Sequence, residues 1–318
     1  MKATSLFYIL KPFIPRSIQL AMRAAVIRRK LPACTHSWPI LERSGHKPRN
    51  WLGWPGDHNF ALVLTHDVEH YNGQNKSYRV AQLEMNLGFR SSFNLVPRRY
   101  EVSAELRNFL VHHGFEVGVH DYNHDGLLFS SYEVFSERKG AINDYLKLWK
   151  ANGFRAGAMH HNLKWIGELD VLYDCSTFDT DPFEPQPDPV ETIFPFLVNK
   201  DEENSYVEMP YTLPQDFTLL VLMGHENIEI WKRKLDWIVE RGGMALINTH
   251  PDYMCFDGSP SIEEYQAERY EEFLQYVIDR YDGMFWHALP CDVARFVKGM
   301  LQESQSLTGN YIKTRRSK

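Results

Sequence analysis

The order of apolar and polar residues changes character at Ala61. From there, short continuous apolar runs alternate with longer runs whose apolar positions recur at helical spacing. The short runs 61–65, 91–96, 116–119, 154–156 and 244–248 predict strands, and the spacing predicts helices over 76–87, 104–113, 133–151, 231–240 and 262–281. Several helices end where glycine permits a left-handed turn, at Gly114, at Asn152-Gly153 and at Gly242-Gly243. Strands that alternate with helices predict an α/β domain of parallel strands with outer helices. Two stretches break the rhythm. The segment 180–189 carries Pro182, Pro185, Pro187 and Pro189 and excludes regular helix or central strand, and 200–205 reads as an acidic turn.

Before Ala61 the pattern differs. Residues 1–41 contain no Asp or Glu, while Lys2, Lys11, Arg16, Arg23, Arg28, Arg29 and Lys30 are basic. The apolar run Leu6 to Leu10 is bounded by Lys11 and Pro12, too short for a span of about 20 residues. Beyond Pro15, Ile18, Ala21, Met22, Ala25 and Val26 recur at helical spacing beside the arginines, as in a basic amphipathic helix. Two expectations follow. Residues 1–30 make peripheral contact with an anionic membrane surface, or the helix packs across the main domain with its basic face solvated. The chain therefore divides into a basic arm at 1–55, a main α/β domain at 56–305 and a basic tail at 306–318.

Composition narrows the partner. In 318 residues the formal net charge is −6, which argues against nucleic-acid binding and favours a small molecule or glycan. Cys34, Cys175, Cys255 and Cys291 form no short-spaced pair, so neither a zinc ribbon nor a disulfide framework is expected. A reducing, cytoplasmic setting fits that pattern, with membrane association through the arm as its complement.

Candidate chemistry sits where apolar strands run out. In Thr65-His66-Asp67-Val68-Glu69-His70, extended chain turns Asp67 and Glu69 to one side and His66 and Val68 to the other. His120 and His124 follow the third predicted strand, and four-residue spacing on a helical turn brings both imidazoles to one face. With one carboxylate they would make a two-His, one-carboxylate site for a divalent ion. His250 ends the strand 244–248 and suits a general acid.

These groups, in this order, resemble the NodB-like polysaccharide deacetylases over most of 58–290. His120 and His124 match the family's H-x-x-x-H motif, His250 its last motif, and Arg155 in Gly153-Phe154-Arg155-Ala156-Gly157 its arginine motif. Gly157 stands where the family usually has proline. Val68 separates the two acids that the family usually has adjacent.

The resemblance implies a distorted (β/α) barrel of about seven strands of the NodB-homology type, with an N-terminal helical arm. It also implies metal-dependent hydrolysis of an N-acetyl group on a carbohydrate, with one divalent ion, Zn by preference, held by Glu69, His120 and His124. Asp67 would be the base, Arg155 would hold it ionised, His250 would protonate the leaving amine, and the backbone N–H after Arg155 would help stabilise the oxyanion. The exchange of roles between Asp67 and Glu69 stays open. Asp174, Asp179 and Asp181 are the candidates for orienting His250. His160, His161, Trp165 and Asp181 are candidate substrate contacts, and Trp165, Phe178, Phe183 and Tyr211 could stack on sugar faces. Two alternatives are hydrolysis of another small amide on the same scaffold and a non-catalytic carbohydrate-binding barrel.

Overall fold

A computed structural model describes residues 14–49, 51–199 and 203–300. After helix α1 (Arg16–Lys30) the chain enters β1 (Phe60–Val68), α2 (Tyr71–Asn86), β2 (Ser92–Leu95), α3 (Ala104–His112), β3 (Glu116–His120), α4 (Tyr132–Trp149) and β4 (Gly153–Arg155). Then come the short helix α5 (Leu163–Ile166), β5 (Tyr173–Asp174), β6 (Phe196–Val198), β7 (Tyr206–Glu208) and a π-helical stretch at Phe217–Leu222. The chain continues through α6 (Glu229–Arg241), β8 (Met244–Thr249), β9 (Met254–Cys255), β10 (Tyr265–Gln266), α7 (Glu268–Tyr281) and β11 (Phe285–His287).

Strands β8, β1, β2, β3, β4, β5 and β7 lie side by side, all parallel. Edge strand β6 runs antiparallel to β7, and β11 extends the sheet beside the start of β1. Beyond β7, the amides of Thr212 and Leu213 donate to the Leu246 carbonyl of β8, so the curled sheet returns to its start. This is the expected distorted barrel with outer helices.

Alternation within strands sorts the core into two layers. On β1, Phe60, Leu62 and Leu64 join the large cluster under the helices, whereas Ala61 and Val63 join a smaller cluster inside the curl. Strand β8 divides likewise, with Ala245 and Ile247 outward and Met244 and Leu246 inward. Following the inward positions toward the strand ends, apolar residues give way to Thr65 and Asp67 on β1 and to Asn248 on β8. That change makes the C-terminal end of the sheet the polar, chemically equipped end.

Three expectations about elements need correction. The helix expected over 262–281 begins only at Glu268, because Tyr265 and Gln266 pair with Met254 and Cys255 instead. His120 and His124 do not share a helical turn: His120 ends β3, and Asp121 and His124 both have positive φ in the loop that follows. In α1, Ile18, Met22 and Val26 are exposed while Gln19, Leu20 and Ile27 are buried, so the apolar stripe is not the packed face. Arg16 pairs inward with Glu263 at 2.8 Å, and the Arg23 guanidinium lies 4.9 Å over the Phe217 ring. No helix among the described residues is long and apolar enough to cross a membrane. The tail proposed for 306–318 and the start of the arm, 1–13, lie outside the described residues.

Candidate active site

Strand register brings the first carboxylate to its partners. Asp67 pairs with Asn94 across β1 and β2, and Asn94 Nδ2 donates to Asp67 Oδ1 at 3.0 Å. From the other neighbouring strand, Asn248 Nδ2 donates to Oδ2 at 2.8 Å. Arg155, fully buried at the end of β4, places Nε 3.4 Å from Oδ1 and donates from Nη2 to Thr65 Oγ1 at 2.9 Å. Burial opposes the charge on Asp67, yet Arg155 above all, then His120 and His250, bring its carboxyl down to about 2. Asp67 is therefore a gripped, permanently ionised carboxylate.

Glu69 emerges on the same side one residue beyond β1. Its own amide donates to Asp252 Oδ2 at 2.8 Å and Tyr253 OH donates to its Oε2 at 3.0 Å, so chain following β8 fixes both its backbone and its side chain. Its Oε1 lies 3.2 Å from His124 Nε2. Burial opposes ionisation of Glu69, but His124, followed by His250 and His120, holds its carboxyl well below the usual range.

The two histidines converge with their ring centroids 4.7 Å apart. Gly157 permits the approach: a Cβ there would stand 2.4 Å from Asp121 Oδ2 and 3.1 Å from His124 Cδ2. A proline at 157, with its own Cβ, would collide with the same loop. That is the physical reason for the departure in the arginine motif.

Do these groups fit a divalent ion? Ligand atoms of Glu69, His120 and His124 all lie within 4.8 Å of one another. His120 Nε2 is buried without a hydrogen-bond partner, a costly arrangement unless something accepts its lone pair, whereas His124 Nε2 meets Glu69 Oε1 at 3.2 Å. His120 is ready for that role: its Nδ1 faces the Arg155 carbonyl at 3.1 Å, which keeps the proton there and leaves Nε2 bare. His124 is less prepared. Arg99 Nη1 donates to its Nδ1 at 2.7 Å, so the neutral ring carries its proton on Nε2, toward Glu69. Ligation by His124 requires that proton to leave. The donor set fits, with this one adjustment.

On the far side of the site, His250 Nδ1 sits 2.7 Å from Asp216 Oδ1 and its amide donates to Asp216 Oδ2 at 2.7 Å. Burial lowers the imidazole's affinity for a proton, but Asp216, then Glu69 and Asp67, outweigh it and raise its pKa to about 10. Asp216 replaces the three aspartates expected to orient His250. Asp174 is bound by Ser176, Asp179 forms a buried ion pair with Lys234 at 2.6 Å, and Asp181 accepts from Tyr211 OH. Nor is the amide after Arg155 available for an oxyanion, because Ala156 N donates to Ser176 Oγ at 2.8 Å.

A pocket of 390 Å³ opens over these groups, within the range of small-ligand sites, lined by Glu69, His124, His250, Glu184, Phe217 and Tyr253. Helix α1 contributes Gln19, Arg23 and Val26 to its wall. Of the expected substrate contacts, none lines it. Trp165 packs among Phe129, Tyr132 and Phe135, and Asp181 is buried behind Glu184 on the shared Tyr211 hydroxyl. His161 bonds the Met159 carbonyl, and His160 is the next residue back along that loop. Phe178 and Tyr211 are buried against each other and Phe183 packs on Trp38, so the pocket's aromatics are Phe217 and Tyr253 instead.

No family model matches the sequence, and no curated protein matches it. Solved structures share its fold. A Mycobacterium smegmatis protein described as a polysaccharide deacetylase superposes with a TM-score of 0.63 at 17% identity, covering 80% of this chain and 95% of its own. A Pseudomonas aeruginosa PAO1 protein of the same description gives 0.60 at 17% identity, over 79% and 94%. The Puue allantoinase gives 0.57 at 15% identity, over 79% and 93%. At these identities the likeness establishes the fold alone, that of the polysaccharide deacetylases.

Proposed function

We propose that this chain is a metal-dependent deacetylase that hydrolyses the N-acetyl group of a carbohydrate. The observation that carries the reading is the convergence of Glu69, His120 and His124 within 4.8 Å, beside a gripped Asp67 and a charged His250, at the polar end of a deacetylase fold. Glu69, His120 and His124 would hold one divalent ion, Zn by preference for two imidazoles and a carboxylate. Bound there, it supplies Lewis acidity toward the acyl oxygen and toward water.

The chain's own groups do the rest. Asp67 accepts a proton from the attacking water as the new C–O bond forms at the acetyl carbon. Arg155 keeps Asp67 ionised and holds its position. His250, cationic against Asp216, gives its proton to the nitrogen as the C–N bond breaks, leaving acetate and a free amine. The reading assigns the arm to 1–55, the catalytic barrel to 56–305 and the tail to 306–318, in a cytoplasmic protein touching the membrane through residues 1–30.

Acetate release from a panel of N-acetylated glycans, measured after loading with Zn²⁺, tests the activity. Release from at least one glycan, abolished by His120→Ala with His124→Ala, is expected. A second reading, hydrolysis of an amide that is not a glycan, is favoured by the shared fold of an allantoinase. Turnover of small amides with no glycan turned over would replace the first reading by the second.

A further inference from the structure

Helix α1 closes one side of the catalytic pocket and brings a cation into it. Arg23 lines the pocket together with Glu69, His124 and His250. Its guanidinium is placed by the Phe217 ring, 4.9 Å beneath it. Among the described residues it forms no ion pair and no hydrogen bond; Glu184 is near enough to feel its charge, but the neighbouring acids have hydrogen-bond partners of their own. Glu69 is engaged by His124 and Tyr253, and Glu184 Oε1 accepts from Tyr211 OH at 2.8 Å and Gln215 Nε2 at 2.6 Å. Arg16, two turns earlier on α1, shows the contrast: it also lies over Phe217, at 5.8 Å, yet it is neutralised by Glu263.

A half-buried guanidinium in a ligand pocket, held by a ring and left without an acceptor, suits a planar or tetrahedral oxyanion from outside the protein. Arg99 adds a second cation behind His124, which lines the pocket. It bonds only histidines, His124 and His70, and has no carboxylate partner.

We propose that Arg23 is a specificity residue that binds an anionic group carried by the substrate, so the N-acetylated sugar bears a carboxylate or a phosphate. This rests on the deacetylase reading and narrows its substrate class. Arg23 touches the substrate away from the scissile amide, so it acts mainly through KM. Hydrogen bonds to charged groups are strong enough that losing this one costs about tenfold or more in binding.

The test uses the full-length, Zn-loaded protein with methyl N-acetylglucosaminide as the uncharged substrate, N-acetylglucosaminuronic acid for the carboxylate and N-acetylglucosamine 1-phosphate for the phosphate. The wild type is expected to favour one acidic sugar over the neutral one by about tenfold in kcat/KM, and which one identifies the anion. Arg23→Gln is expected to erase that preference through KM, and Arg23→Lys to restore part of it. An unchanged acidic-to-neutral ratio in Arg23→Gln, or a wild type that prefers the uncharged sugar, overturns the proposal. Calorimetry of the same sugars binding to Asp67→Asn, with and without Arg23→Gln, separates this inference from its premise. Arg23-dependent binding of an acidic sugar with no acetate release by the wild type would remove the deacetylase reading and keep Arg23. Acetate release without charge preference would do the reverse.

Discussion

At the scale of single residues, the proposed division of work turns on Val68, which separates Asp67 from Glu69. Glu69 is braced by Tyr253 and aimed at His124, whereas Asp67 spends its oxygens on Asn94, Asn248 and Arg155. Asp67→Asn is therefore expected to keep the ion and lose about 10²–10⁴ in rate, and Glu69→Gln to lose the ion itself. Metal stoichiometry and rate for both variants check this, and the reverse pattern would exchange the roles. His250 makes a pH prediction. Its pKa is raised to about 10, so the protonated donor persists through neutrality and is lost as pH rises through that value. In metal-free protein the pair with Asp216 contributes stability that is complete below the unfolded pKa of about 6.5 and disappears through about 10. Asp216→Asn should shift the alkaline limb of the rate profile toward lower pH; an unmoved limb would exclude His250 as the proton donor. The sequence displayed His120, His124 and His250 openly because each ends or follows an apolar strand. Asp216 was hidden, since it reaches His250 across 34 residues of chain and the aspartates of 174–181 offered a denser signal. Asn94 and Asn248 were legible in principle as amides within apolar strands, at inward positions beside Asp67.

Among the elements, the strands and helices around β1 and β8 were readable from periodicity because both strands feed two apolar layers. The short strands β5, β6 and β7 were not, because two or three residues carry no period. The π-helical stretch that displays Phe217 escaped for a different reason: Asp216 at its start accepts from the Phe217 amide and also holds His250, a contact that no local pattern shows. Helix α1 is the element where pattern and packing part company. Its inner side, with Gln19, Arg23 and Val26, meets the pocket, while Ile18 and Met22 remain outside at 49% exposure each. An exposed apolar stripe flanked by Arg28 and Arg29 suits an anionic bilayer. Full-length protein is expected to co-sediment with phosphatidylserine vesicles and to be released by salt, each basic residue near the surface contributing about 1 kcal/mol. Replacing Ile18 and Met22 together by Asp should abolish co-sedimentation. Partitioning that ignores both salt and these substitutions would leave α1 only its role in the pocket wall.

For the whole molecule, the proposed metal site would also be a clasp. Glu69 follows β1, His120 ends β3 and His124 sits in the loop beyond, while Tyr253 and Asp252, past β8, hold Glu69 in place. An ion bound to all three ligands ties chain segments that otherwise meet only through hydrogen bonds at the open end of the sheet. It binds the folded state and finds no assembled site in the unfolded one. Occupancy must then raise stability, by about 2.7 kcal/mol when free ion stands at a hundred times its Kd. For a domain of this size each kcal/mol moves Tm by roughly 2–4 °C, so the effect is within reach of a thermal melt. Zn²⁺ should raise Tm by several degrees and a chelator should reverse it. His120→Ala with His124→Ala should remove the response to both reagents together with the bound metal. The melt of that double variant in chelator reports the cost of the substitutions, and its response to added Zn²⁺ reports the site, so the two effects are read separately. A Zn²⁺-dependent rise of equal size in wild type and double variant would place the ion elsewhere in the molecule, and the deacetylase reading would lose its main support.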